Sequence, residues 1–171
     1  MKHRTPWSAA LLCWLLCLAL LTACGGSPAE TETAGNCTVS ISCATILDNL
    51  DQLNAAKADF VPDDGVILPE TELSFTEGET AFDLLQRVCR DNGISMESSW
   101  SPLYKTAYIE GIANLYEFDC GKLSGWMYSV NGEFPNYGCS GYTLQDGDVI
   151  CWVYTCDLGE DVGGGYAAGG E

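Results

Sequence analysis

Histidine is almost absent from this 171-residue chain, because the single one, His3, lies within the first four residues. Without further imidazoles the chain cannot form a Ser-His-Asp or Cys-His nucleophile pair. It cannot place several histidines on a zinc ion, and it has no Cys-x-x-Cys pair to hold one through thiolates. These absences exclude most hydrolytic mechanisms. We therefore expect a protein that is not an enzyme and has no metal site.

Positive charge is scarce as well: seven lysines and arginines stand against 24 aspartates and glutamates, for a net charge of −17. A surface of this sign repels phosphate backbones, so we expect no nucleic-acid partner. The carboxylates by themselves leave a paired-acid glycosidase open on residue type. The clusters Asp63-Asp64-Gly65 and Asp146-Gly147-Asp148 lack the spacing of a twelve-residue calcium loop, and we interpret them as acidic turns.

The amino terminus has the pattern of an export signal. A positive start at residues 2–4 precedes an apolar run at 9–21 that is short for a membrane span, which predicts a signal peptide over 1–23. Leu21-Thr22-Ala23-Cys24 resembles the lipobox of bacterial lipoproteins, and this implies that Cys24 is lipidated. An ordinary cleaved signal and an uncleaved anchor are the alternatives. We expect a lipid-anchored protein on the extracellular face of the bacterial cytoplasmic membrane, with residues 24–36 as a flexible tether.

The clearest helix signal begins near Thr76. Thr76 and Glu79 have the spacing of a capping box, and Asp91-Asn92-Gly93 is typical of a helix end. Between them, one stripe at helical spacing is apolar: Ala81, Phe82, Leu84, Leu85, Val88 and Cys89. An earlier apolar repeat predicts a second, inserted helix near the amino terminus: Ile46, Leu47, Leu50 and Leu53.

Alternation and apolar runs predict the strands. Cys37–Cys43 alternates as a first strand, and Trp126, Tyr128 and Val130 alternate in a later one that ends at an Asn131-Gly132 turn. Residues 149–154 have no polar position, which predicts a strand covered on both faces. The remaining candidates are 66–68, 73–75, 94–100 and 108–116.

This order of elements predicts the α+β class. The arrangement that fits best is a β-grasp-like fold, with one main helix packed on a mixed or antiparallel sheet and the inserted helix near the amino terminus. We place the domain at residues 37–159. The glycine-rich, acidic stretch 160–171 is predicted to be a disordered tail.

Two motifs lie near the carboxyl end: Gly125-Trp126-x-Tyr128-x-Val130-Asn131-Gly132 and Tyr142-x-Leu144-x-Asp146-Gly147-Asp148-x-Ile150-x-Trp152. Together with the helix opening at 77–85, they resemble the transcobalamin-like carboxy-terminal domain family of bacterial surface proteins. The resemblance covers about residues 38–159. It implies a β-grasp-like domain that binds cobalamin, another corrinoid or a similar soluble ligand without catalysis, and that requires no cofactor.

The candidate ligand-binding residues are Trp126, Tyr128, Asn131, Phe134 and Tyr137. Their rings would present flat apolar area, and backbone groups near Asn131 would bind the ligand's edges. Aromatic residues at alternate positions more often form a core. The alternative function is a protein-interaction or adhesion module on the cell surface that uses the same aromatic face. A concave aromatic hollow would favour ligand binding, and a flat rim or a free sheet edge would favour adhesion.

Seven cysteines follow Cys24, and export would permit disulfides among them. We expect Cys120 to pair with Cys139 first. Cys156 could pair with Cys37 or Cys43, and Cys89 with Cys151, unless these last two are simply small buried hydrophobic residues. An odd number leaves at least one thiol unpaired.

Overall fold

The computed structural model describes residues 33–165, which form an α+β domain of two sheets and one α-helix. The first sheet has the strand order β2-β1-β7-β6, and the second has the order β3-β4-β5. The bounds are β1 Thr33–Ser42, β2 Val66–Thr76, α1 Ala81–Asn92, β3 Met96–Ser101, β4 Thr106–Ile112, β5 Leu115–Tyr116, β6 Gly125–Val130 and β7 Val149–Thr155. This confirms the predicted α+β class and its single main helix.

The first sheet is mixed. Strands β1 and β7 pair in parallel at its centre, and β2 and β6 flank them as antiparallel edge strands. Strand β2 is continuous where the sequence predicted two short strands. It tolerates Pro69 because an edge strand has backbone amides that need no ladder partner.

The main core lies between α1 and the first sheet. The helix contributes its predicted apolar stripe, with Leu84 and Leu85 fully buried, and the sheet contributes residues such as Ile41, Ile150 and Trp152. Along β7 the buried residues alternate, so the prediction of cover on both faces was too strong. Cys151, between two buried neighbours, is only half-buried.

Helix α1 begins one turn later than the sequence predicted. The capping box is formed by Thr80 and Asp83: the Asp83 backbone amide donates to Thr80 Oγ1 at 3.2 Å, and the Thr80 amide donates to Asp83 Oδ2 at 3.0 Å. Thr76 and Glu79 instead close a turn before the helix. The physical reason is Gly78, whose φ of 79° is left-handed and cannot continue into a helix. The predicted end at Gly93 is confirmed, with a φ of 67°.

The prediction of an inserted helix near the amino terminus is wrong. The segment forms two short 3-10 helices, Ala44–Asp48 and Ala55–Phe60, and Leu50 between them is exposed. Leu53 interrupts the helical run because it forms an isolated antiparallel bridge with Cys120. Tertiary pairing therefore overrides the local helical spacing.

The ends of the described region are more ordered than the sequence suggested. Residues 33–36 of the predicted tether already belong to β1. Within the predicted tail, Glu160–Val162 forms a 3-10 turn, and the Asp161 carboxylate accepts from the Cys156 amide at 2.7 Å. The predicted signal peptide 1–23 and the lipid anchor Cys24 lie outside the described residues. No helix in the described range is long and apolar enough to cross a membrane.

All seven cysteines of the described region are free thiols. The predicted disulfide between Cys120 and Cys139 is not formed, because the two lie in different clusters of the core. Cys139 packs in the main core with Cys37, whereas Cys120 packs in a second, smaller cluster with Cys43 and Cys156. A disulfide between Cys37 and Cys156 is disfavoured for the same reason.

The predicted pairing of Cys89 with Cys151 is also not formed. Cys89 lies on the buried stripe of α1, and the β7 side chains that meet this core are Ile150 and Trp152. Because successive side chains of a strand point to opposite faces, Cys151 faces away from the helix. Cys89 is therefore a small buried hydrophobic residue, as its alternative interpretation proposed.

Candidate ligand-binding hollow

An open hollow of about 680 Å³ lies where β4 of the second sheet approaches β6 of the first. We call it the aromatic hollow, since six of the side chains that line it are aromatic rings. The lining comprises Tyr104, Thr106, Ala107, Tyr108, Ile109, Trp126, Met127, Tyr128, Pro135, Asn136, Tyr137, Gly138, Cys139 and Trp152. Its volume is within the usual range of small-molecule sites.

Two aromatic pairs make this end of the first sheet rigid. Tyr128 and Trp152 are cross-strand neighbours, with ring centroids 5.5 Å apart and planes at 29°. Trp126 packs edge-on against Tyr154 at 5.2 Å, and its indole N–H donates to the Leu115 carbonyl at 2.8 Å. Pairs of this kind contribute about 0.5–1.5 kcal/mol each beyond their buried area. The rings are thus fixed before any ligand arrives.

The segment 135–139 forms the opposite rim and is held by hydrogen bonds at Tyr137 and at Ser140, the residue after it. The Tyr128 hydroxyl donates to the Tyr137 carbonyl at 2.9 Å. Directly after the segment, Ser140 Oγ lies 2.8 Å from Thr106 Oγ1 and accepts from the Ala107 amide at 3.0 Å. Gly138 allows this close approach, because a Cβ there would lie 1.9 Å from Thr106 Oγ1. The rim is therefore preformed.

The Trp152 indole N–H has no hydrogen-bond partner, although the side chain is only 1% exposed. It is the one such buried side-chain nitrogen or oxygen within residues 33–165. A buried polar group without a partner costs about 1–3 kcal/mol, so native proteins retain few of them. This unpaired donor belongs to a residue that lines the hollow.

The hollow is uncharged although the chain is strongly acidic. No Asp, Glu, Lys or Arg is among its lining residues. Burial raises the pKa of Cys139 to about 11. Burial, reinforced by the hydrogen bond that its hydroxyl donates to Glu117, raises the pKa of Tyr108 to about 12, and burial also raises the pKa of Tyr128. These three groups are neutral at pH 7, which suits an uncharged ligand.

The structure brings three of the five predicted ligand-binding residues together: Trp126, Tyr128 and Tyr137 line the hollow. Phe134 lies instead in a separate depression of about 310 Å³, where a Cβ on Gly164 would be only 2.6 Å from its ring.

Asn131 lines neither hollow, because its side chain holds the turn after β6. Its amide donates to Asp148 Oδ1 at 3.0 Å and its carbonyl accepts from the Val149 amide at 2.8 Å. The predicted turn at Asn131-Gly132 is confirmed, with φ angles of 53° and 85°. The Asn131 side chain therefore has a structural role, and ligand binding by the backbone groups near it stays a prediction.

Sequence reasoning missed the wall contributed by the β3–β4 hairpin. Tyr104 and Tyr108 belong to this wall, and no pattern in the sequence places them opposite Trp126. Trp152 was also missed, although it closes the second quoted motif. The available signal was the register of two antiparallel strands, which pairs position 152 with position 128.

Fold and hollow together define an α+β domain with a preformed, uncharged aromatic site. A family model described as a domain of unknown function (DUF4430) matches residues 78–156. No curated protein matches the chain.

The solved structures that are similar to the chain include the following two. One is a protein from Ruminococcus gnavus to which metal binding has been ascribed: it is 17% identical, over 71% of this chain and 96% of that chain, with a TM-score of 0.39. The other is haptocorrin in complex with Cbi: it is 16% identical, over 80% of this chain but only 29% of that chain, with a TM-score of 0.46. Neither likeness is close enough to assign a ligand to this chain.

Proposed function

We propose that the domain is a non-catalytic binding module whose aromatic hollow holds one face of a large, uncharged ring ligand. The observation that carries the proposal is the hollow itself: six aromatic rings and no charged side chain, in a chain of net charge −17. Such a surface gains free energy by burying apolar area and loses none by desolvating a charge. Because its rim and floor are held by hydrogen bonds, ligand binding costs little ordering.

Cobalamin or another corrinoid is the first ligand to test. A corrinoid is a flat macrocycle fringed with amides, so it combines ring area for stacking with carbonyl oxygens as acceptors. One such carbonyl would satisfy the Trp152 indole N–H. The choice rests on the resemblance of the 125–132 and 142–152 motifs to the transcobalamin-like family. The central parallel pair β1–β7 with α1 packed on the sheet supports the β-grasp-like arrangement that this family implies.

A hollow of about 680 Å³ that is open to solvent covers only part of so large a ligand. The proposal therefore predicts moderate affinity for the isolated protein. It also places the module at the extracellular face of the bacterial cytoplasmic membrane, held by the predicted lipid anchor at Cys24. Membrane fractionation of a Cys24→Ala variant tests the anchor independently of the ligand.

The experiment is equilibrium dialysis of the purified full chain against cobalamin and cobinamide, with tryptophan fluorescence as a second readout. Tyr137→Ala removes an exposed ring from the hollow (51% exposed), and Phe118→Ala removes a similarly exposed ring outside it (62% exposed). We expect saturable binding that Tyr137→Ala weakens about tenfold and Phe118→Ala leaves unchanged. Absence of binding at several hundred micromolar ligand, or equal effects of both variants, would contradict the proposal.

The adhesion module is the second candidate, and the tip of the β3–β4 hairpin favours it. Trp100, Leu103 and Tyr104 are 61%, 79% and 76% exposed there, and β3 is a free edge of the second sheet. Exposed aromatic residues of this kind are typical of protein contact sites. Corrinoid binding that survives a Trp100→Ser, Leu103→Ser double substitution would separate the two functions. Loss of cell-surface adhesion in that variant, without any corrinoid binding in the parent, would favour this candidate.

A further inference from the structure

The second core cluster contains three buried cysteines that the aromatic hollow does not use. Cys43 and Cys120 are fully buried and Cys156 nearly so, and they pack with Ile46, Leu115 and Tyr154. No group of three or more Cys, His, Asp or Glu side chains in the described region could hold a metal ion. The cluster therefore needs an explanation other than metal binding.

Two of the three thiols contact the same short turn after β1. The Cys156 thiol lies 3.9 Å from Thr45 Oγ1, and the Cys120 thiol donates to the Asn49 carbonyl at 3.4 Å. Thr45 and Asn49 are joined to each other, because the Asn49 amide donates to the Thr45 carbonyl at 2.9 Å. A hydrogen bond between the Cys120 and Cys156 side chains contributes to the pKa of each thiol.

The backbones that carry these two thiols are held together at one end of the β6–β7 ladder. Gly125 of β6 pairs with Thr155 of β7, and the Leu158 amide donates to the Leu123 carbonyl at 3.0 Å. The Cys120 amide donates to Ser124 Oγ at 3.1 Å, and that hydroxyl lies 2.9 Å from the Tyr154 hydroxyl. The fold thus holds the two cysteines in one buried cluster.

Cys43 belongs to the same cluster but is placed differently. Its backbone amide donates to the Gly65 carbonyl at 2.7 Å, which fixes it at the end of β1. Burial raises its pKa to about 11, and no other thiol contributes to that shift. Cys43 is therefore the third thiol of the cluster and lies outside the pair of Cys120 and Cys156. Its substitution provides a matched control.

We propose that Cys120 and Cys156 form a disulfide when the chain folds in the presence of a disulfide oxidant. One thiol loses its proton and attacks the oxidant, whose sulfur–sulfur bond breaks and releases one thiol. The second cysteine then displaces the other half of the oxidant. The chain loses two electrons and two protons, the oxidant gains both and becomes two thiols, and one bond joins the two cysteine sulfurs.

The step belongs to folding rather than to the finished protein. Burial raises the pKa of Cys120, and burial together with its contact to Cys120 raises the pKa of Cys156 to about 12. At neutral pH the folded chain holds very little thiolate at either position, and the thiolate is the reactive form. Once formed, the disulfide would be protected from reductants by the same burial.

The test is to refold the full chain with a mixture of reduced and oxidised glutathione and to map its peptides without reduction. We expect a linked peptide pair that contains Cys120 and Cys156, together with a melting temperature about 10 °C above that of the reduced chain. The Cys43→Ala variant should keep the linkage, and the Cys120→Ala and Cys156→Ala variants should each lose it and lose the increase in melting temperature.

A dominant linkage from Cys43 to either partner, or all three thiols free after refolding, would overturn the proposal. The peptide map of the unsubstituted chain decides this even where a variant fails to fold. The outcome is independent of the proposed ligand, because none of the three cysteines lines the aromatic hollow.

Discussion

Tyr128 and Trp152 face each other across β6 and β7, with stacked rings 5.5 Å apart, yet only one of them has its polar group satisfied. The Tyr128 hydroxyl donates to the Tyr137 carbonyl, whereas the Trp152 indole N–H has no acceptor. The Tyr128 hydroxyl thus holds the rim of the hollow, whereas the Trp152 indole N–H is left without a hydrogen bond. Under the proposed function, Tyr128 has a structural role and Trp152 has a binding role.

The unpaired donor leads to a prediction about ligand affinity. Replacing Trp152 by 3-benzothienylalanine keeps its shape but substitutes sulfur for the N–H group. Because the ligand-free protein has no hydrogen bond to lose there, its free energy of unfolding should not fall. The affinity for a corrinoid should fall about five- to tenfold, the value of one hydrogen bond. Urea unfolding and equilibrium dialysis measure the two quantities, and an unchanged affinity would contradict the assignment.

The rim should be sensitive to a single methyl group. In Gly138→Ala the new Cβ would meet the Thr106 side chain at 1.9 Å, so the segment must move away from β4. We expect a loss of about 1–3 kcal/mol in the free energy of unfolding, as for other overpacked sites. Gly141→Ala is the matched control, because its Cβ would meet its nearest neighbour at an ordinary 3.5 Å. Equal stabilities of the two variants in urea would refute the close contact.

The buried thiols predict how stability depends on pH. Burial raises the pKa values of Cys37, Cys43, Cys89 and Cys139 from 9.0 to about 11 in the folded chain. Between these values the unfolded chain releases protons that the folded chain retains. The stabilisation by neutral thiols is complete below pH 9 and is lost as the pH rises to about 11. Urea unfolding of the fully reduced protein at pH 8 to 11 measures this, and a flat profile would contradict it.

The start of α1 provides a test that distinguishes two capping sites. Thr80→Ala removes the side-chain acceptor for the Asp83 amide and should cost about 1 kcal/mol. Thr76→Ala should cost less, because the Thr76 interactions in the turn before the helix are made by its backbone. Urea unfolding of both variants measures the difference, and a larger loss for Thr76→Ala would place the cap where the sequence alone predicted it.

Local patterns predicted the elements that local forces determine. The apolar stripe of α1, its stop at Gly93 and the turn at Asn131-Gly132 all depend on residues close in sequence, and all are confirmed. The inserted helix was wrong because Leu53 pairs with Cys120, far along the chain. Tyr104 and Tyr108 of the candidate site escaped prediction for the same reason, since only the folded chain brings the β3–β4 hairpin against β6.

The cysteine pairing could not be predicted either, because it also depends on contacts between residues that are distant in sequence. The sequence pattern of a strand could not place cysteines of different strands into a common cluster. The meeting of Cys120 with Cys156 depends on the turn after β1 and on the β6–β7 ladder together. No spacing in the sequence encodes that arrangement.

The most direct test of the central claim follows the indole N–H signals of the full chain by nuclear magnetic resonance while cobinamide is added. If the hollow binds a corrinoid, the Trp152 and Trp126 signals shift together and saturate, with the larger change at Trp152, while the signal of the exposed Trp100 outside the hollow stays in place. Unchanged signals from Trp152 and Trp126 at several hundred micromolar cobinamide would refute corrinoid binding in the hollow.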